Sequence, residues 1–195
     1  GTKRVVFLSS LGAERPSGTG PITGLRGAET LLRAIPDLDL LLLRPGYFYE
    51  NLYGSIGLIK HQGVNGGAIA PDAPITMIEA RDIGAVAAAA LQRQDFTGVS
   101  VRELSGPRPI TMGEATRILG RAIGKPDLGY VQFPDAGFID GLKSAGFADD
   151  AARLFAEMSQ SFNKGLVGPQ PGNQRVTTTT TFEAFADEFA RAGLA

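Results

Sequence analysis

The segment Pro45-Gly46-Tyr47-Phe48-Tyr49-Glu50-Asn51 places phenols, a phenyl ring, a carboxylate and an amide directly behind a turn. Gly lets the backbone approach a ligand closely, Pro fixes the turn, and an aromatic ring supplies a flat apolar wall. Asn51 carries two donors and an acceptor, which suits the orienting of a substrate carbonyl and equally suits capping the helix behind it. The phenols of Tyr47 and Tyr49 are further candidates for polarising such a carbonyl. Ser9 and Ser10 end a separate apolar run, Val5 to Leu8, and offer two hydroxyls. Short apolar runs closed by turn residues read as strands buried on both faces, and in open α/β sheets the loops leaving such strands hold ligands.

Other constellations read as structure. His61 is the single histidine. It lies in the stretch His-Gln-Gly-Val-Asn-Gly-Gly without converging ligands, so a surface loop is expected and no metal. Asp149-Asp150 precedes a long helical pattern and is explained by capping and the macrodipole. Gly18-Thr-Gly20-Pro-Ile-Thr-Gly24 imitates a phosphate-binding turn, but Pro21 removes an amide that a pyrophosphate needs. Gly120-Arg-Ala-Ile-Gly124-Lys125 is one residue short of a P-loop and reads as a helix end.

The positioning elements follow from periodicity. A helix over 24–35, with Leu25, Ala28 and Leu32 inward, separates the Val5 run from the Leu38 run, so the two strands form a parallel βαβ crossover. Asp82 is expected to cap a helix burying Ile83, Val86, Ala87, Ala90 and Leu91. Val99 to Leu104 reads as a strand. Thr111-Met-Gly-Glu114 is a capping box opening a helix with Ala115, Ile118, Leu119, Ala122 and Ile123 inward. A short strand (129–133) and a helix from Pro134 toward Lys143 come next. A longer helix spans 150–164 with Leu154, Phe155, Met158 and Phe162 aligned, and residues 165–173 read as irregular. Thr180-Thr-Phe-Glu183 is a second capping box, ahead of a final helix burying Phe182, Phe185, Ala186, Phe189 and Ala190.

The chain has 195 residues, 43% hydrophobic and 20% charged, with a formal net charge of -1, enough for one domain with a core. Its 19 basic residues are scattered, so neither nucleic acid nor a membrane surface is an expected partner. The absence of cysteine removes disulfides, thiolate metal sites and a cysteine nucleophile. No signal-type stretch leads the sequence, and a cytoplasmic location is expected.

In their order and spacing, the Ser9-Ser10 strand end, Arg44 to Asn51, Asp82-Ile83 before an Ala-rich helix, and Leu104-Ser-Gly-Pro107 before Ile110-Thr111 resemble the NmrA-like atypical short-chain dehydrogenase/reductase family. The resemblance covers nearly the whole chain. It implies an α/β fold with a Rossmann-like parallel sheet flanked by helices, NAD(P) as cofactor, and a small C-terminal α+β substrate subdomain. It places Ser9, Ser10, Pro45, Gly46 and Phe48 beside the nicotinamide ring and leaves Tyr47, Tyr49 and Asn51 for the substrate. Segments 1–50 and 82–106 then form the sheet core, and 51–81 with 107–195 the substrate-covering part.

Two departures stand against the match. The family opens with a strand, a Gly-rich turn and a helix that bind the pyrophosphate, whereas this sequence opens at what resembles the fourth strand. The Tyr-x-x-x-Lys pair of typical short-chain dehydrogenases is also replaced, by Thr23 and Gly27, and a threonine hydroxyl cannot donate a proton at neutral pH as an activated phenol does. Arg26 is the cation nearby, and it does not titrate. Catalysis then falls to Ser10 or Asn51, or to a Tyr of the 47–49 segment.

Three readings remain open. The first is an NAD(P)-dependent oxidoreductase passing hydride to a quinone-like or other carbonyl substrate. The second is a non-catalytic NAD(P)-binding redox sensor. The third is a truncated fragment that binds no cofactor by itself. An exposed Val5 strand edge would call for a homo-oligomer or a preceding segment to cover it.

Overall fold

A computed structural model of the chain describes residues 1–193. The first elements are β1 (Arg4–Leu8), α1 (Ile22–Arg33), β2 (Asp39–Pro45) and β3 (Tyr47–Phe48). A 3-10 turn (Tyr49–Ser55) leads to α2 (Ile56–Gln62), β4 (Val64–Gly67), β5 (Pro74–Ile75), β6 (Met77–Ile78) and α3 (Ala80–Arg93). Then come β7 (Val99–Ser105), β8 (Ile110–Thr111), α4 (Met112–Ala122), β9 (Gly129–Gln132), α5 (Asp135–Ser144), α6 (Asp149–Asn163), β10 (Gln174–Thr177) and α7 (Phe182–Gly193).

The main sheet runs β1-β2-β7-β10, with every neighbouring pair parallel. Val5 lies beside Leu40 and Leu8 beside Leu43, so the βαβ expectation for the first two strands is met. Leu40 to Leu43 are fully buried because β2 is central and covered on both faces. Leu41 and Leu43 pack with Ile78, Ile83 and Phe96, while Leu40 and Leu42 pack with Leu38 on the opposite side. That alternation follows from the two-residue period of a strand. β1 is an edge strand, and Leu8 at its end is 48% exposed.

Three two-stranded sheets assemble beyond the main one. β3 pairs with β6 and β4 with β9 in parallel, whereas β5 meets β8 antiparallel. Their core gathers Tyr49, Ile59, Met77, Ile110 and Leu119 with the phenylalanines of α7.

Several local expectations are corrected. Gln174–Thr177 completes the main sheet, although the sequence reading put it in the substrate-covering part; as a polar edge strand it lacks the apolar run that marks a buried one. Val64–Gly67 is a strand, not a loop, and Gly66 is required there because a Cβ would fall 2.7 Å from the Phe133 ring. His61 occupies the last turn of α2, not a loop. Helix α1 begins at Ile22, and its buried positions are Ile22 and Glu29, with Leu25, Ala28 and Leu32 half-buried.

Asp82 does not cap α3. The helix starts at Ala80, and Asp82 accepts a hydrogen bond from the Thr180 hydroxyl at 2.9 Å. That contact removes Thr180 from its expected capping role, and Thr181 caps α7 through the Ala184 amide at 3.2 Å. Thr111 does cap α4, accepting from the Glu114 amide at 3.1 Å. Leu91 and Leu154, expected inside, are 50% and 39% exposed.

Candidate functional site

Two cavities of about 380 Å³ each share a wall made by Tyr47 and Asn51, one of them at the carboxyl ends of β1 and β2. The first, a strand-end cavity, is floored by Ser9, Ser10, Gly46 and Phe48 and closed by Leu25 of α1 and Met158 and Phe162 of α6. The second, an inner cavity, lies under α5 among Asn65, Tyr130, Phe133, Phe138, Leu142 and Ser159.

Tyr47 is set by its backbone and its ring. Its amide donates to the Thr76 carbonyl at 2.8 Å, and its ring packs edge-on to Phe162 with centroids 5.7 Å apart. Burial pushes the phenol up to about 12, with the Asn51 hydrogen bond pulling the other way. The group therefore stays protonated across the neutral range, a donor and not a base. Asn51 stands exposed at the mouth.

The remaining candidates divide. Ser9 is 4% exposed, and its hydroxyl donates to Glu29 at 2.5 Å. Ser10 donates to the Leu11 carbonyl at 2.9 Å. Both line the strand-end cavity, but each hydroxyl proton is already engaged inside the protein. Gly46 lines the cavity too, and the reason for glycine is on its other side, where a Cβ would sit 2.2 Å from the Thr76 carbonyl oxygen.

Pro45 is not brought to either cavity. It is buried, its carbonyl accepting from the Leu11 amide at 3.0 Å. Tyr49 is corrected as a substrate residue: it is fully buried, packs edge-on to Phe182 and donates to the Thr180 carbonyl at 3.3 Å.

One group escaped the sequence reading. Arg44 sits in the buried strand β2 and meets Glu29 through two hydrogen bonds, with Glu14 as a third contact at 3.2 Å. A detectable signal existed, since Glu29 falls at the i+4 position from Leu25 on the inward face of α1 and Arg44 interrupts a Leu run. Gly20 of the 18–24 stretch also has a structural cause: a Cβ there would strike the Leu154 carbonyl at 2.0 Å.

The strand-end cavity suits a flat aromatic ring better than a phosphate. Its walls are mostly apolar, the polar side chains of Ser9, Ser10, Tyr47 and Asn51 are uncharged, and among the described residues no Lys or Arg lines it. Likewise, among those residues no group of three His, Cys, Asp or Glu is placed to hold a metal. No described helix is long and apolar enough to cross a membrane.

No protein-family model matches the chain. Prestalk A differentiation protein A of Dictyostelium discoideum is 26% identical over 191 residues, which is 95% of this chain and 60% of that protein. The (4-alkanoyl-5-oxo-2,5-dihydrofuran-3-yl)methyl phosphate reductase of Streptomyces griseus is 33% identical over 128 residues, 65% of this chain and 44% of the enzyme. The chain thus spans less than two thirds of these curated relatives. An NADPH-dependent quinone oxidoreductase of Escherichia coli superposes with a TM-score of 0.79 at 26% identity, over 95% of this chain and 67% of the other. NmrA, a negative transcriptional regulator solved with NAD, shares the fold at a TM-score of 0.65 and 15% identity, over 95% of this chain and 64% of its own. These solved neighbours are NmrA-like atypical short-chain dehydrogenases/reductases, and this chain has their fold. Its parallel sheet flanked by helices is the Rossmann-like sheet of that group. The strand-end cavity lies where the loops leave β1 and β2, as expected for open parallel sheets.

Proposed function

We propose that this NmrA-like chain forms the nicotinamide-facing and substrate-facing walls of an NAD(P)-dependent reductase acting on a quinone-like or other carbonyl compound. The observation that carries this reading is the shared Tyr47 and Asn51 wall between two cavities of about 380 Å³. One cavity would take the ring that delivers hydride and the other the acceptor, the two meeting along the Tyr47 and Asn51 lining so that the ring and the acceptor carbon can touch.

Ser9, Ser10, Gly46 and Phe48 hold the nicotinamide ring by shape, and the two serines act as wall because their hydroxyl protons are committed. A bound nicotinamide supplies the hydride. The Tyr47 phenol, protonated at neutral pH, donates a hydrogen bond to the acceptor oxygen where negative charge develops. Asn51 orients the same oxygen through its amide hydrogens. Such a site would work by polarisation, with the proton that completes the reduction taken up by the product oxygen from water at the exposed Asn51 mouth, without the phenol-lysine pair that Thr23 and Gly27 replace.

The unpaired β1 edge, with exposed Leu8 beside it, is in this reading a surface covered by another copy or by further polypeptide. A cytoplasmic location accompanies the reading.

The test is a titration of NADPH and NADH into the protein, followed by nicotinamide fluorescence, and then addition of a quinone while absorbance of the reduced nucleotide is recorded. Binding followed by absorbance loss supports the reductase. Binding without consumption marks a sensor, and absence of binding overturns cofactor use by this chain.

A further inference from the structure

Helix α5 roofs the inner cavity and is built in a way that packing does not explain. None of its residues is buried. Gly137 and Gly141 sit one turn apart within it, and both line the cavity. Glycine inside a helix is less stable than alanine, so its presence calls for a cause. At Gly46 and Gly20 the cause is backbone contact, as the 2.2 Å and 2.0 Å approaches of a Cβ show. At Gly137 and Gly141 neither a positive φ nor a contact requires it: a Cβ on either meets nothing within 4 Å. The space they leave is cavity space.

The chemistry of the walls is equally selective. Phe138 and Leu142 of the same helix face the cavity with Tyr130 and Phe133, and the polar contributors Asn65 and Ser159 are uncharged. Among the described residues, no Lys, Arg, Asp, Glu or His lines it. An anion placed there would lose hydration and find no cation in exchange.

We infer that α5 sets substrate choice: the inner cavity takes a flat, uncharged, fused-ring carbonyl compound seated against Gly137 and Gly141, and rejects an anionic one. The inference rests on the reductase reading for the identity of the site. It separates this chain from the Streptomyces relative, whose name specifies a phosphate ester. Gly137 and Gly141 are the specificity-determining positions, because any larger side chain there takes the volume that the ring needs.

Calorimetric titration of the intact protein without nucleotide tests this. The probes are hydroxymethyl-anthraquinone, anthraquinone monosulfonate and the single-ring duroquinone. The chain contains no cysteine, so thiol addition to the quinones does not interfere. The neutral anthraquinone is expected to bind at least about tenfold more tightly than the sulfonate. Gly141→Leu and Gly137→Leu are expected to weaken the anthraquinone by about tenfold or more and duroquinone by less than about twofold. The melting temperature of each variant should hold or rise, since leucine is the better helix former. Equal binding of neutral and anionic rings, unchanged anthraquinone affinity in both variants, or no binding of the neutral ring to the wild type overturns the inference. Quinone selectivity without nucleotide oxidation supports the inference and sinks the reductase reading, whereas turnover without charge or size selection does the reverse.

Discussion

Arg44 and Glu29 close a bidentate ion pair in the interior, with Nε to Oε1 at 2.9 Å and Nη2 to Oε2 at 2.6 Å. Their side chains are 6% and 5% exposed. The pair joins β2 to α1, and Ser9 donates to the same carboxylate, so one ionic clamp holds the ends of both strands that floor the strand-end cavity.

Breaking the clamp on one side should cost more than removing it. Arg44→Met leaves the buried Glu29 carboxylate with only the exposed Arg33 at 3.7 Å, at a cost of about 3 kcal/mol. The double variant Arg44→Met with Glu29→Met removes both charges and should recover a large part of that loss. Urea unfolding of the four proteins measures the cycle, and a double variant less stable than Arg44→Met alone would contradict this account.

The clamp also fixes an acid limit. Burial pushes the Glu29 carboxyl up, but hydrogen bonds from Arg44 and Ser9 and the charges of Arg44 and Arg33 outweigh it and leave the group below its ordinary 4.5. As pH falls, the unfolded chain takes up this proton before the folded one does. The stability it contributes is therefore complete above 4.5 and is lost as pH drops through the lower folded value. Urea midpoints taken between about pH 6 and about pH 3 should decline more steeply in the wild type than in Glu29→Gln.

The two tyrosines should separate cleanly. Tyr47→Phe is expected to lower kcat/KM for quinone reduction by about a hundredfold, with nucleotide affinity unchanged. Tyr49→Phe should leave the kinetics alone and cost about 0.5–1.5 kcal/mol of stability for its Thr180 hydrogen bond. Because burial pushes the Tyr47 phenol up to about 12, its ionisation should produce no fall in rate between neutral pH and about pH 10.

Glycines with different causes should respond in opposite directions. Gly46→Ala drives a methyl to 2.2 Å from the Thr76 carbonyl and should destabilise by about 2 kcal/mol or more. Gly141→Ala meets open space and should stabilise by about 0.5–1 kcal/mol. Thermal unfolding of both variants reads the signs.

What could be read from residues alone was whatever depends on near neighbours. The Leu38 and Val5 runs declare strands, the first buried as expected and the second a half-buried edge because nothing in the described chain pairs with its outer side, and one helix between them makes those strands parallel. Thr111 with Glu114 declares a helix start because the cap is a hydrogen bond three residues long. The family resemblance came from the order of such local pieces. Asp82 and Thr180 misled for the opposite reason: each has good capping chemistry, but the two lie 98 residues apart in sequence and satisfy each other instead.

The tertiary structure decided which side chains face the cavities. Tyr47 and Tyr49 are two apart and would share a face of a continuous strand, yet β3 ends at Phe48 and the chain enters a 3-10 turn at Tyr49, which sends the second phenol into the α7 core. Pairing of Arg44 with Glu29 likewise depends on how α1 lies against β2. Local sequence settles strand, turn and cap because those energies act over a few residues. Partner choice in the interior is settled only when distant segments compete for the same buried space.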